Sequence, residues 1–349
     1  MSKVHNFSAG PAILPASAIQ AGVEALQNFA GTGLSILEVS HRSPEYVAVM
    51  EEARSLVKEL LNLNDDYEVL YLQGGASTQF LMTAYNLLEK KAAYVDTGTW
   101  SSKSIKEAKL FGEVDVIASS KDKNYSYIPK DLNVPQDADY LHITSNNTIY
   151  GTQYKDFPDV NIPLVCDMSS DIFSKSIDAN KFDLIYAGAQ KNLGPAGATL
   201  VIVKKEVLGK VSRSIPSMMD YNVHISKDSM FNTPPAFSVF VVMHTLRWIK
   251  DMGMTTIEAR NKAKAEMLYT EIEFNDNFKP TTATEDRSHM NVTFLLNDES
   301  RNDAFLEACK EAKISGIKGH RSVGGFRASM YNAMGLDSVQ ALVNVMQTF

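Results

Sequence analysis

One lysine stands out by its setting. It lies in the stretch FDLIYAGAQKNLGPAG, residues 182–197, where the β-formers Phe182, Leu184, Ile185 and Tyr186 give way to small residues and then to Gln190-Lys191. The breaker cluster Gly194-Pro195-Ala196-Gly197 follows, and residues 199–203 are apolar again. Two buried strands around a tight loop, with a lysine at the sheet edge, fit this pattern. Such an amine is either a solvated surface group, the ordinary state of lysine, or a nucleophile. In the second case desolvation lowers its pKa so that it can form a Schiff base. Asp167 closes another apolar run, Ile162, Leu164 and Val165, where an unpaired carboxylate is costly. It either caps the next helix or pairs with an arginine, or it faces a protonated pyridine nitrogen.

Other residues could complete a site of that kind. Gln73-Gly74-Gly75 ends a strand-like run, and Ala76-Ser77-Thr78 opens an apolar helical one. Strand, glycine turn and helix N-terminus make a phosphate cradle, although a plain tight turn reads the same way. The P-loop lysine is missing, which argues against a nucleoside triphosphate. Trp100 in TGTW and Thr148 in the Asn146-Asn147-Thr148 segment sit at further strand exits, and Thr99 is a candidate helix cap. His41-Arg42 precede a helix start at Ser43-Pro44, an ordinary entry loop or an anion site. A phosphate at Ala76-Ser77, a ring stacked on Trp100, its nitrogen at Asp167 and its aldehyde on Lys191 together describe pyridoxal 5'-phosphate.

The elements that must hold these residues follow from patterning. Strand-like runs recur at residues 92–95, 114–118, 140–144, 164–168, 182–187 and 200–203 with helical or loop segments between several of them, which predicts an α/β fold with a mostly parallel sheet. Site residues on such sheets gather beyond the strands' carboxyl ends. Residues 5–15 read as an irregular arm, with Ser17 capping a helix through Phe29. After a long apolar helix at 237–249, broken at Met252-Gly253, come a helix at 257–274, a strand at 289–296, a helix at 303–312, a strand at 326–331 and a terminal helix capped by Asp337. The expected division is a large domain, 16–250, and a small one built from 1–15 and 251–349.

Bulk properties bound the function. The chain has 349 residues, 44% of them hydrophobic and 21% charged, with a formal net charge of -7 and a pI near 5.6. No long Lys/Arg block supports nucleic-acid binding, and no apolar run approaches the length of a membrane span. Cys166 and Cys309 rule out a disulfide framework and suit a reducing cytoplasm. No leader-like apolar segment opens the sequence, and no metal is expected.

The blocks NFSAGPAILP, EVSHRSPEY, LQGGASTQF, TGTWS, NNT, DMSS, AGAQKNLGPAG, NTPP and GHRSVGGFRASMYNA resemble, in order and nearly end to end, those of the phosphoserine aminotransferase family. This is a class-V group of pyridoxal-phosphate enzymes with the aspartate-aminotransferase fold, fold type I. The resemblance implies a Schiff base on Lys191, a pyridinium held by Asp167, a ring stacked on Trp100, and further cofactor contacts from Thr148 and Gln190. It places the phosphate at Ala76-Ser77, completed by Asn232-Thr233 of a neighbouring subunit, so that a homodimer shares its active sites. Arg327 would take the substrate α-carboxylate, and His41, Arg42, His320 and Arg321 its phosphate or the glutamate side chain. Ser77 departs from members with a basic residue there, and the site then carries one positive charge fewer.

The implied reaction is glutamate with 3-phosphohydroxypyruvate to 2-oxoglutarate and O-phospho-L-serine, by ping-pong turnover in serine biosynthesis. A related phosphorylated threonine precursor in pyridoxal phosphate synthesis is the alternative acceptor, and the sequence does not rank the two. The alternatives are another class-V enzyme, such as a cysteine desulfurase, which needs an exposed thiol, and a cofactor-free interaction protein.

Overall fold

The computed structural model describes residues 3–349, so the first two residues of the expected arm lie outside the described residues. A seven-stranded sheet runs in the order 67–72, 199–204, 184–188, 164–167, 141–144, 91–96, 113–119. Every neighbouring pair is parallel except those made by Thr199–Lys204, which runs against both neighbours. The α/β fold with a mostly parallel sheet is therefore as expected.

Period-two alternation splits each strand between the two faces. Val69, Tyr71, Val95, Cys166 and Ile185 face one side, covered by helices Ala16–Gln27, Pro44–Leu60 and Ala236–Met252. Leu70, Leu72, Tyr94, Val165 and Tyr186 face the other, covered by helices Gly75–Leu87 and Thr99–Ala108. Both faces are dry along these strands, which is why they are near-continuous apolar runs, whereas the edge strand Glu113–Ser119 is partly exposed.

A second core forms around the antiparallel sheet Phe278–Pro280, Asn291–Leu296, Phe326–Ser329. Leu268 and Leu342 come from the helices Met254–Phe274 and Leu336–Thr348. Phe305, fully buried, meets Phe278, Phe294, Phe326 and Phe349. The amino-terminal arm belongs to this core as well. Residues His5–Asn6 pair in parallel with Ile314–Ser315, and Phe7 is fully buried.

Three expected helix starts are displaced. Ala16–Gln27 begins one residue before Ser17, because the Pro15 carbonyl already accepts from Ala18 and Ile19, and a short 3-10 turn, Phe29–Gly31, follows it. Gly98, not Thr99, precedes the helix Thr99–Ala108, and the Ser101 hydroxyl accepts from the amides of Thr97 and Gly98. Asp337 lies inside Leu336–Thr348 after Gly335 and pairs with Lys3 instead of capping. Among the described residues, no helix is long and apolar enough to cross a membrane.

Emptying the second core should be costly. Phe305→Ala is expected to lower unfolding stability by about 3–5 kcal/mol, read from denaturant midpoints. Leu110→Ala, at a side chain 73% exposed, should stay within about 0.5 kcal/mol of wild type.

Candidate active site

Five strand exits converge on one edge of the large sheet because the strands that carry them run the same way. Asp167 ends Leu164–Asp167 between Thr144 and Tyr186 of the adjacent strands, and Lys191 follows Leu184–Gly188 by three residues. Trp100 opens the helix after Lys91–Asp96, and Thr148 sits in the turn between Asn146–Asn147 and Thr152–Gln153. Gly74 and Gly75 follow Tyr67–Leu72.

The Lys191 amine donates to Thr148 Oγ1 at 2.8 Å and lies 5.2 Å from the Trp100 ring centroid. Burial lowers its pKa to about 8, opposed by Asp167 and assisted by Arg327. Burial also pushes the Asp167 carboxyl up, against the pull of Lys191 and Ser169. Only Oδ1 of Asp167 is engaged among the described residues, by the Ser169 amide at 2.9 Å and hydroxyl at 2.6 Å. The other oxygen is free for a ring nitrogen. Lys264 is a more deeply buried lysine, with a pKa near 7, but the carbonyls of Met330 and Tyr331 hold its amine in place.

The phosphate cradle has the required form. Gly74 adopts φ +93°, and a Cβ there would stand 2.0 Å from Thr78 Oγ1. No side chain caps Gly75–Leu87, so the amides around Ala76 and the exposed Ser77 remain available to an anion. Thr233 lies beside this turn in the same chain, its carbonyl accepting from Gln73 Nε2 at 2.5 Å, and Asn232 lines a cavity with Gln73, Gly74 and Thr78. An acceptor-poor helix start, a half-engaged carboxylate, an indole and a low-pKa amine at one sheet edge fit pyridoxal phosphate.

Cations gather above them. The Arg327 guanidinium makes no ion pair among the described residues, its Nε is buried without a partner, and its charge is felt at Lys191. His320 is held below its usual pKa by burial and by Arg327, Arg321 and Lys103, while Lys103 lies 4.6 Å from the Trp100 ring centroid. His41 and Arg42 are not brought to this cluster by any hydrogen bond, ion pair or ring contact among the described residues. His41 is buried with its Nε2 unpartnered, and Arg42 is exposed.

The arm expected at residues 5–15 reaches the site, a contact the sequence did not reveal. Ala12 donates its amide to the Gln190 carbonyl at 3.0 Å, and Tyr331 OH bonds the Ala9 carbonyl at 2.7 Å. A Cβ on Gly10 would touch the side chains of both Gln190 and Lys191 at 3.4 Å. The arm thus lines the site, and nothing local in its irregular sequence, Gly10-Pro11 included, points to Gln190 or Lys191.

Comparison with known proteins accords with this geometry. Residues 4–342 match the family model for aminotransferase class-V. The chain belongs to the class-V aminotransferases. A phosphoserine aminotransferase of Flavobacterium psychrophilum is 60% identical over 99% of this chain and 98% of its own length. The phosphoserine aminotransferase structure from Bacillus circulans subsp. alkalophilus superposes with a TM-score of 0.96 at 43% identity, covering 99% of this chain and 98% of that one. A pyridoxal-phosphate-bound phosphoserine aminotransferase from Trichomonas vaginalis gives 0.94 at 35% identity, covering 99% and 100%. This class-V chain keeps both cysteines free and buried, and burial holds both thiols in the protonated form, unlike a mobile nucleophilic thiol.

Because the neutral amine is the reactive form, labelling of Lys191 in cofactor-free protein should rise with pH through a midpoint near 8. An ordinary lysine titrates near 10.4. Peptide-resolved labelling with an amine reagent checks this, and Lys264, 1% exposed, should stay unlabelled.

Proposed function

We propose that the chain transfers the amino group of L-glutamate to 3-phosphohydroxypyruvate, with pyridoxal 5'-phosphate as cofactor, giving 2-oxoglutarate and O-phospho-L-serine. The observation that carries this reading is the Lys191 amine, its pKa lowered by burial against the pull of Asp167, in a chain whose relatives, matched over 98–99% of their length, are named phosphoserine aminotransferase.

When bound, pyridoxal phosphate supplies an electrophilic aldehyde and a ring that accepts electrons. Lys191 is the amine that would hold that aldehyde, and as a free amine it would take the proton from the substrate α-carbon. Asp167 would hold the ring nitrogen through its free oxygen, and its burial would keep water from competing for that charge. Trp100 supplies a flat face, Thr148 orients the Lys191 amine, and Gln190 lines the same loop. Ala76 and Ser77 offer main-chain amides to the phosphate, so a basic residue at position 77 is dispensable. Arg327 grips the substrate α-carboxylate by its two-pronged guanidinium. His320 and Arg321 then meet the second anionic group.

We assign His41, Arg42, Asn232 and Thr233 to sites shared with a second copy in a homodimer. Ile19, Val23 and Leu26 form an exposed apolar stripe on the helix Ala16–Gln27, with Leu34 and Leu37 exposed beyond it. Such a stripe suits burial against another subunit. We divide the chain at the Gly253 joint, with 16–250 as the large domain and the arm joined to 251–349, and place the protein in a reducing cytoplasm, where free cysteines persist.

Amino transfer from glutamate to a panel of phosphorylated and unphosphorylated 2-oxo acids tests the reading. Lys191→Ala should lower turnover by at least about 100-fold. Arg327→Gln should lower kcat/KM roughly 10- to 100-fold, as expected for lost charged hydrogen bonds. Equal rates on unphosphorylated acceptors would overturn the substrate assignment.

A further inference from the structure

A second buried carboxylate, which the mechanism above does not use, lies in the turn after Asp167. Asp171 is 6% exposed and makes no ion pair among the described residues. Its Oδ1 meets the Ser145 hydroxyl, and its Oδ2 accepts from Gln153 Nε2 at 3.1 Å. Gln153 cannot turn its amide round without loss, because its Oε1 accepts from the His289 amide at 3.1 Å. Oδ2 is therefore an acceptor, and any proton on Asp171 sits on Oδ1.

Ser145 has one hydroxyl proton and two acceptors within reach. Its hydroxyl stands 3.0 Å from the main-chain carbonyl of Asp167, which already accepts from the Ser145 amide at 3.0 Å, and is also in contact with Asp171 Oδ1, and a hydroxyl donates only once. If Ser145 donates to Asp171, an unpaired carboxylate stays buried within electrostatic reach of Asp167. If Ser145 donates to the Asp167 carbonyl, Asp171 must donate to Ser145, and every group is satisfied with no second buried charge. Two carboxyls in one dry site do not both ionise readily, and burial pushes Asp171 upward.

Burial pushes Asp171 up against the opposing field of Lys175, and no cation pairs with it among the described residues. Lys175 donates to the carbonyls of Tyr154 and Lys155, Lys155 to that of Arg287, and Lys191 to Thr148. Cys166 and Tyr331, also within its field, are held protonated by burial.

We propose that Asp171 is a neutral carboxylic acid that donates to Ser145, thereby positioning the Asp167 main chain and leaving Asp167 as the one ionised carboxylate at the cofactor ring. Its consequence for the cofactor rests on the role given to Asp167 above, but its protonation does not. Asp171 is a positioning residue, and its hydrogen bonds run from the Asp167 carbonyl through Ser145 and Gln153 to the His289 main chain.

The conservative variant Asp171→Asn decides the matter, since an Asn amide donates and accepts where a neutral acid does. Infrared difference spectra of the cofactor-free protein, wild type minus D171N near neutral pH, should show the C=O stretch of a protonated carboxyl. Its absence would overturn the proposal, whether or not the cofactor reading holds. In the pyridoxal-phosphate-loaded protein, the pH midpoint of the visible band should be the same in D171N as in wild type. A lowered midpoint, by about one unit for loss of a negative charge this close, would overturn it. So would a D171N chain that fails to fold, because no charge is lost from a neutral acid. Asp171→Leu keeps bulk without hydrogen bonds and should weaken cofactor binding roughly tenfold, measured by titrating the apoprotein. Undiminished affinity would remove the positioning role.

Discussion

Taking a lysine amine out of water weakens its hold on a proton, and a carboxylate nearby strengthens it again. In this chain the first effect is the larger at Lys191, so the amine titrates near 8. Asp167 is under the reverse pressure, its carboxyl pushed up by burial and drawn down by Lys191. The two groups are tolerable in a dry site only as a pair, and a bound pyridinium would give Asp167 a nearer partner. The surrounding structure keeps them in place. Asn192, next to Lys191, donates to the Ile172 carbonyl and accepts from the Asn332 amide. A Cβ at Gly194 would stand 2.5 Å from Val242 Cγ2, so the helix Ala236–Met252 packs directly on the lysine loop.

The polar joint between the two cores continues this rigidity. Asn146 bonds Ser170 on one side and Asn291 on the other, and Asn261 joins the Ser174 carbonyl to Asn332. Lys264 closes the same joint on the carbonyls of Met330 and Tyr331. Arg327, on the strand Phe326–Ser329, is thereby carried on a scaffold tied by hydrogen bonds to the exits that hold Asp167 and Lys191. The substrate grip proposed for Arg327 and the proton transfer proposed for Lys191 depend on one interlocked set of buried amides and hydroxyls.

Much of this was legible in the sequence because the large sheet is buried on both faces. Runs such as residues 164–167 and 184–188 can be read without an alignment, and abrupt changes of composition mark their ends, where Asp167 and Lys191 stand. The Gly74 turn was visible for a similar reason, since a residue at positive φ before a helix favours glycine. Helix starts were less legible at Ser17, Thr99 and Asp337. A Pro carbonyl, a Gly cap position with a serine three residues on, and a contact to the distant Lys3 decided those boundaries, and local preference for Ser, Thr or Asp caps was overridden. The arm's approach to Gln190 and the Asp171 contacts depend on residues far apart in the chain, so no local pattern reveals them. The roles given to His41, Arg42, Asn232 and Thr233 came from family resemblance, and within one chain only Asn232 and Thr233 lie beside the Gly74 turn.

The central claim is that Lys191, alone among the lysines, is the amine that binds the cofactor aldehyde. Borohydride reduction of pyridoxal-phosphate-loaded protein followed by peptide mass mapping tests it most directly. One stable adduct per chain, on the peptide carrying Lys191, is the expected result. An adduct on Lys264 or on a surface lysine, with the Lys191 peptide unmodified, would contradict it.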